Sequence, residues 1–335
     1  MSTIPTISII TPVWNGLPYI KECIASVLGQ DFQEWELLIG DNASTDGTRD
    51  YLEGLTDPRI HIYTHEKNLG ISGNLNFLFA KAKAPIAYIL CADDYFHPGG
   101  LTRAIEEWRL SNSEVALICF RAGSGGSRVN EYAYSILPKN ISPEFSPLAF
   151  FLFGNFTGNA SNVSVKVSAI NSTGGFADNL KTAQDFEMWR SLASKSEIVL
   201  TEGKVVYSRE HEESASHPQI TKGDAYTQLI TIYEVLVEQL SKDYDRRKLV
   251  AYFNTQICPQ YYRTGLKYAL LGKYTYLMAV IGTKSSILWK TWMQLLICVP
   301  LAVSQDLREY LVVKRAKAFV RKSKTFKSVR VIGDR

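Results

Sequence analysis

The chain has 335 residues, 46% apolar and 21% charged, with a formal net charge of +4. Those values fit a globular protein with a sizeable core and exclude wholesale disorder. The charge is uneven: Arg308 to Arg335 holds ten Lys/Arg against two acidic residues, which leaves the rest acidic on balance, so no nucleic-acid partner is expected.

Strand and helix signals alternate along the first third. Ile7 to Thr11 is a short apolar run ended by Pro12, the pattern of a buried strand. Ile20, Cys23, Ile24, Val27 and Leu28 recur at helical spacing within Tyr19 to Gln30. Glu36 to Ile39 is a second strand, followed by a polar loop from Gly40 to Gly47 in which Thr45 or Asp46 can cap the next helix. Further strands are predicted at Ile60 to Tyr63, Pro85 to Cys91 and Val115 to Phe120, with helices at Ser72 to Lys83 and Gly99 to Leu110. This order implies an α/β domain with a mostly parallel sheet covered by helices on both faces.

Residues 121–160 are rich in loop signals, with Gly-Ser-Gly-Gly at 123–126 and Pro138, Pro143 and Pro147, and are expected to form a mobile segment over the site. Mixed structure returns over 161–210, and a helical, Tyr- and Leu-rich pattern follows from about residue 220. The division expected is 1–217 for the α/β domain, with 1–120 as its nucleotide-binding half and 121–217 as its acceptor-side half, and 218–335 for a helical extension. Trp289 to Val303 is the longest apolar stretch, but Lys290 and Gln294 interrupt it and Pro300 would kink it, so no membrane-spanning helix is expected.

Cys23, Cys91, Cys119, Cys258 and Cys298 are odd in number, far apart and without a CxxC pair. Neither a disulfide framework nor a zinc site is expected, and a reducing compartment fits. The start, MSTIPTISII, lacks a basic region followed by a long apolar stretch, so no secretory leader is expected there. Asn-x-Ser/Thr triplets such as Asn155-Phe-Thr157 are then taken as chance matches.

Ligands of such sheets sit beyond the carboxyl ends of the strands. That rule singles out Thr11-Pro12-Val13-Trp14-Asn15, Asp41 to Asp46, and Ala92-Asp93-Asp94, all expected at one sheet edge. A nucleoside diphosphate placed beside these carboxylates is repelled unless a divalent cation lies between them, and Mg²⁺ and Mn²⁺ favour oxygen ligands. Asp93-Asp94 suits that role; on spacing alone, it suits a turn or helix cap equally well.

Seven motifs, in this order and spacing, resemble the family 2 glycosyltransferases of the GT-A fold. They are Thr11-Pro12-Val13-Trp14-Asn15, Asp41-Asn42-Ala43-Ser44-Thr45-Asp46-Gly47-Thr48, Asn68-Leu69-Gly70, Ala92-Asp93-Asp94, Gly174-Gly175-Phe176, Gln184-Asp185 and Arg209-Glu210-His211. The resemblance covers about Ile7 to Ser216. It implies a Rossmann-like sheet, a nucleotide-diphosphate sugar donor and a divalent Mn²⁺ or Mg²⁺ cofactor. By the same resemblance Thr11, Pro12, Asn15, Asp41, Asn68 and Asp93 are donor-binding residues, with Asp41 on the base. Asp94 is the metal ligand, joined by His211. Asn74 and Asn76 are further candidates for the donor pocket, and Trp14 and Trp189 for stacking on a sugar. Cys91 stands where the motif often begins with another Asp, and Gln184 where a Glu often precedes the catalytic Asp.

Asp185 resembles the catalytic base. It would take the proton of the acceptor hydroxyl as that oxygen displaces the diphosphate, which inverts the anomeric centre without a covalent intermediate. By family analogy the acceptor is a saccharide or lipid-linked saccharide of surface polysaccharide or O-antigen assembly. The tail from Leu311 to Ile332 mixes Lys and Arg with an apolar stripe, so peripheral contact with the cytoplasmic face of the inner membrane is expected. Two alternatives stand beside this reading. A nucleotide-sugar-binding module with impaired catalysis is suggested by Cys91 and Gln184. A nucleotidyltransferase would carry a basic Gly-rich loop near the N-terminus, where this chain has no Lys or Arg before Lys21.

Overall fold

The computed structural model describes residues 4–121, 133–209, 224–303, 316–317 and 319–320. From the N-terminus come β1 (Ile7–Val13), α1 (Leu17–Leu28), β2 (Trp35–Asp41), α2 (Thr48–Glu53), β3 (Ile60–Thr64), α3 (Gly70–Lys81), β4 (Ile86–Ile89), β5 (Tyr95–Phe96), α4 (Gly100–Leu110) and β6 (Val115–Phe120). After them lie β7 (Asn140–Ile141), α5 (Ser146–Phe153), β8 (Val163–Lys166), α6 (Val167–Thr173), α7 (Gln184–Ala193), β9 (Glu197–Thr201) and β10 (Val206–Tyr207). The helical extension holds α8 (Asp224–Leu240), α9 (Arg246–Tyr252), a π-type turn at Phe253–Ile257, α10 (Cys258–Leu270), α11 (Thr275–Gly282) and α12 (Thr291–Val303).

Eight strands form one sheet in the order β3-β2-β1-β4-β8-β6-β9-β7, and β5 pairs with β10 beside it. The neighbours β3, β2, β1 and β4 are parallel, as are β6 and β9. β8 runs antiparallel to β4 and β6, and β7 antiparallel to β9. The strand–helix alternation of the first third thus produces the parallel half, and β8 reverses between the two parallel groups.

Strands covered on both faces read as unbroken apolar runs. Ile7 and Ile9 of β1 face the core shared with α1 and α4, whereas Ile10 faces the core shared with α3, α5 and α7. α1 begins with a proline in its first turn, ends at Gly29 and buries Ile20, Cys23, Ile24 and Val27 along one stripe. Each such aliphatic side chain contributes about 1.5–3 kcal/mol before ordering entropy is counted.

The expected mobile segment is corrected over its described part. Residues 133–153 contribute to the core: Leu137, Leu148, Ala149, Phe150 and Phe151 are buried, and α5 is buried around almost its whole circumference. A helix buried all round has no polar face and therefore no helical period to detect. The Gly-rich part at 123–126 lies outside the described residues, as does the expected boundary at 217/218. The extension packs through α8 on α5, and its buried side chains join the same core as the sheet. No described helix is long and apolar enough to cross a membrane.

Candidate active site

The loops after β1 and β2 are built against each other. Asn15 and Ala43 both take positive φ, 50° and 61°, conformations that side chains other than glycine rarely adopt. They are held there by reciprocal bonds: the Asn15 amide donates to Ser44 Oγ (2.8 Å), and Asn15 Oδ1 accepts from the Thr45 amide (2.8 Å). Asp46 ties the start of α1 to α2, accepting from the Leu17 amide (3.0 Å) and the Thr48 hydroxyl (2.6 Å).

Asp41 is fully buried at the end of β2; its carboxylate accepts from the Ser44 amide (3.2 Å) and from Arg49 Nε (3.3 Å). Asn42 joins this loop to the next, donating to Asn68 Oδ1 (2.9 Å) and accepting from the Leu69 amide (2.7 Å). Thr11 is also buried, and its hydroxyl has no hydrogen-bond partner among the described residues. It lies two residues before the end of β1.

Gly40 shows why a glycine is required under this loop. A side chain there would collide with the Asn74 amide, whose nitrogen donates to the Gly40 carbonyl (2.7 Å) and whose Oδ1 accepts from His65 Nε2 (3.0 Å). Asn76 is likewise consumed: it accepts from the Phe176 amide (2.7 Å) and donates to the Phe176 carbonyl (2.9 Å). Gly175, at φ 89°, leaves the space that Asn76 fills. Asn74 and Asn76 therefore brace α3, and Trp189 is core, packed edge-on against Phe176. Trp14 is exposed beside Asn15.

The loop after β4 carries the acidic cluster. Ligand atoms of Cys91, Asp93 and Asp94 lie within 4.8 Å of one another. Asp94 is buried, and its two oxygens accept from the Arg209 backbone amide (2.9 Å) and Asn159 Nδ2 (3.1 Å). Burial, with the charge of Asp93 beside it, pushes the Asp94 carboxyl up to about 6. Burial and the same two carboxylates push the Cys91 thiol well above its ordinary range, so sulfur stays protonated and a poor ligand for a hard cation. What fits Mn²⁺ or Mg²⁺ here is the carboxylate pair, whose crowded charge a divalent cation would relieve.

Arg209 closes this corner. Its guanidinium stacks on Tyr95 (4.9 Å) and Tyr19 (5.4 Å) and pairs with Glu22 of α1. His211, the expected second metal ligand, lies outside the described residues.

Asp185 sits in the first turn of α7. Its Oδ1 accepts from the Phe186 amide (2.7 Å) and its Oδ2 from Asn155 Nδ2 (2.9 Å). Burial outweighs those bonds and pushes the carboxyl up to about 6. A carboxylate held near neutrality is suited to exchange a proton.

The two carboxylate sites share one strap, residues 155–161. Asn155 holds Asp185, and Asn159 holds Asp94 while its Oδ1 accepts from the Ser161 amide (2.9 Å). Ser161 Oγ accepts from the Cys91 amide (2.9 Å). Phe156, Thr157 and Ser161 are buried, which fixes the strap in the core. Sequence reasoning missed Asn155 and Asn159. The pattern Asn-Phe-Thr-Gly-Asn resembles a loop or a glycosylation triplet, and only tertiary structure places its amides on the two acids.

Residues 8–171 match Glycosyl transferase family 2. This chain carries a family 2 glycosyltransferase domain. Among sequence relatives, the putative teichuronic acid biosynthesis glycosyltransferase TuaG of Bacillus subtilis is 36% identical over 104 residues. That alignment covers 30% of this chain and 41% of the relative, so the chain spans less than half of that protein's length. Among solved structures, S. aureus TarS 1-349 in complex with UDP-GlcNAc has a TM-score of 0.59 at 17% identity, covering 95% of this chain and 92% of that one. The mannosyltransferase PcManGT from Pyrobaculum calidifontis, in complex with GDP-Man and Mn²⁺, has a TM-score of 0.56 at 18% identity, covering 96% and 89%. The fold is GT-A, with helices appended at the C-terminus.

Of the expected site residues, Thr11, Pro12, Asn15, Asp41 and Asn68 fall at the ends of β1 and β2 and the loop beyond β3, and Asp93 and Asp94 follow β4. The loops meet where Gly16 approaches Ala92, the residue before Asp93. Asp185 joins them through the strap.

Proposed function

We propose that the chain moves a sugar, with inversion, from a nucleoside-diphosphate sugar to an acceptor hydroxyl. The observation that carries this reading is the strap: one seven-residue segment holds both a paired carboxylate site and a single near-neutral carboxylate. A displacement with inversion needs one base and one site for the leaving diphosphate, and no second catalytic carboxylate.

Thr11, Pro12, Asn15, Asp41 and Asn68 form the donor side of the site, and Asp93 holds its sugar nucleotide near the diphosphate. Asp94, with Asp93, would hold Mn²⁺ or Mg²⁺; bound there, the cation supplies positive charge to the departing diphosphate. Asp185 accepts the proton from the acceptor hydroxyl. That oxygen forms its bond to the anomeric carbon as the bond to the phosphate oxygen breaks, and the electron pair leaves on the nucleoside diphosphate. Asn155 holds Asp185 at Oδ2 and the Phe186 amide holds Oδ1, which fixes the orientation of the carboxylate. Arg209 stands by the carboxylate pair as a fixed cation.

The acceptor in this reading is a saccharide, lipid-linked during surface polysaccharide assembly, and the enzyme works peripherally at the cytoplasmic face of the membrane. The name of the Bacillus relative, a teichuronic acid biosynthesis glycosyltransferase, supports the polymer class. Residues 1–217 serve as the catalytic domain and 218–335 as the extension that positions it.

The test is a panel of nucleoside-diphosphate sugars, with and without Mn²⁺, read by thermal shift and by release of nucleoside diphosphate. A stabilising donor whose turnover is lost in Asp185→Asn, with donor binding retained, supports the enzyme. Donor binding without turnover on any acceptor supports the binding module instead, and no shift with any nucleotide sugar or nucleoside diphosphate refutes both.

A further inference from the structure

The extension carries a second feature that catalysis does not use. Residues 246–303 hold eight Lys/Arg and no Asp or Glu. Within them lie seven of the fourteen exposed large hydrophobic side chains among the described residues, all between Leu270 and Leu296. A basic segment without acidic residues of its own that exposes many apolar side chains is rare on a protein that meets only water. Glu234 of α8 sets a carboxylate against this segment, bonded to Ser285 and Ser286.

These side chains form two ridges on helices that flank α10. The first is the α10–α11 turn with Leu270, Leu271, Tyr274 and Met278, where Leu270 is 89% exposed. Tyr274 and Met278 stand one helical turn apart, while Tyr276 and Val280 face inward. Leu277 anchors α11 on α10 by packing against Gly265. The second ridge is Trp292, Leu295 and Leu296, one face of α12, with Trp292 60% exposed. Its opposite face is fixed by Gln294, which accepts from the Tyr262 hydroxyl of α10 (2.8 Å), and by the buried Cys298, whose thiol donates to the Asn254 carbonyl (3.1 Å). Burying the ridges inward would break these bonds, so their exposure is built into the helix packing. Lys267 and Lys273 border the first ridge in sequence and Lys290 the second, and all three are exposed.

We infer that the α10–α12 face docks on an anionic lipid bilayer. The ridges enter the interfacial layer, where Trp and Tyr side chains favour the headgroup level. The lysines remain at headgroup depth, their stems along the apolar surface. Anionic lipid attracts each cation brought to the surface by about fivefold in binding. The absence of acidic side chains over 246–303 removes the repulsion that would oppose this. A protein partner would need a matching acidic and apolar surface, whereas an anionic bilayer offers both at every point. The inference is independent of the tail, which lies beyond the ridges in sequence, and of the sugar chemistry.

The experiment uses the full chain and sedimentation with phosphatidylcholine vesicles, with and without phosphatidylglycerol. The parent is expected to bind only the anionic vesicles. Leu271→Glu with Met278→Glu, and separately Trp292→Glu with Leu296→Glu, are each expected to lower partitioning about tenfold or more. Circular dichroism confirms folding, and the conservative pair Trp292→Phe with Leu296→Ile is expected to restore binding. Glutamate variants that bind like the parent overturn the inference. So does loss of binding on neutralising only Lys314, Arg315 and Lys317 of the tail. A parent that forms dimers dispersed by the glutamate changes, with no lipid binding, identifies a second copy as the occupant and also overturns it. Turnover with a soluble acceptor, measured in parallel, reports on the proposed function alone.

Discussion

Asp41 and Asp185 are carboxylates drawn from water into the same α/β domain, and they are held by different means. Asp41, at the end of β2, meets the Arg49 guanidinium and a backbone amide. Asp185, at the start of α7, meets the Asn155 amide and a backbone amide, with no ion pair among the described residues. A cation compensates a buried negative charge outright, whereas neutral donors compensate it in part. The acid held by amides alone has its carboxyl pushed up to about 6 by burial and is left able to take up a proton. Asp94 repeats the second pattern, with the Arg209 amide and Asn159 as donors and its carboxyl at about 6.

The largest test of this contrast is Asp185→Asn. If Asp185 is the base, turnover falls about 10²–10⁴-fold while donor affinity holds. The same variant should be more stable at neutral pH. The Asp185 carboxyl is raised to about 6 in the fold, against an unfolded value of 3.8, so the folded state holds the extra proton between those limits. Stability contributed by Asp185 therefore falls as pH rises from about 4 to about 6 and stays low above. Removing the acid is expected to return about 1–3 kcal/mol at pH 7.5 and nothing below pH 4, read by denaturant titration at the two pH values. A variant that is slow and also less stable at pH 7.5 would mark Asp185 as structural.

Asn155→Ala asks whether the strap tunes the base. The parent rate is expected to rise with pH through about 6 and then level, because only the ionised Asp185 accepts a proton. Removing the Asn155 donor withdraws a bond to the charged form, so the rising limb should move to higher pH by about one unit. At pH 6 the loss of rate should be about fivefold, approaching about tenfold at lower pH and shrinking as pH increases. A pH-independent loss would assign Asn155 to packing only.

How far the sequence disclosed these arrangements depended on the kind of bond. Asp41, Asp93, Asp94 and Asp185 were legible because each follows a strand or opens a helix, where local pattern and motif order coincide. The strap was not legible, because Asn155 and Asn159 act across 30 and 65 residues of sequence on acids they do not resemble. α5 escaped for a different reason: Ser-Pro-Leu-Ala-Phe-Phe-Leu-Phe is buried around nearly its whole circumference, so no polar interval marks its period. Asn74 and Asn76 show a bracing role that the sequence did not signal. They are polar residues near a ligand loop whose amides bond Gly40 and His65, and Phe176, respectively.

Arg49→Gln tests the other side of the contrast. It leaves Asp41 buried with the Ser44 amide as its remaining described side-chain partner. Because Arg49 is itself part-exposed, the expected cost is about 1–3 kcal/mol rather than that of a fully buried pair. Denaturant titration should show this loss at pH 7.5, with donor affinity falling alongside because Arg49 also donates to the His65 carbonyl. If stability and donor affinity are both unchanged, the Arg49 ion pair does not distinguish the two acids and the contrast fails.

The smallest effect is expected at Cys91, and it separates an acid pair that lacks a cation from one that binds it. Cys91→Asp adds a third carboxylate within the group formed with Asp93 and Asp94. Without metal, the new charge faces two like charges in a buried corner and should lower stability. With Mn²⁺ the same charge becomes a ligand, so the metal midpoint in calorimetry should tighten severalfold and the lost stability should return. A destabilised variant that Mn²⁺ does not rescue would show that the corner tolerates no cation. Asp94 would then join Asp185 as a proton-exchanging group, and the strap would hold two acids of one kind.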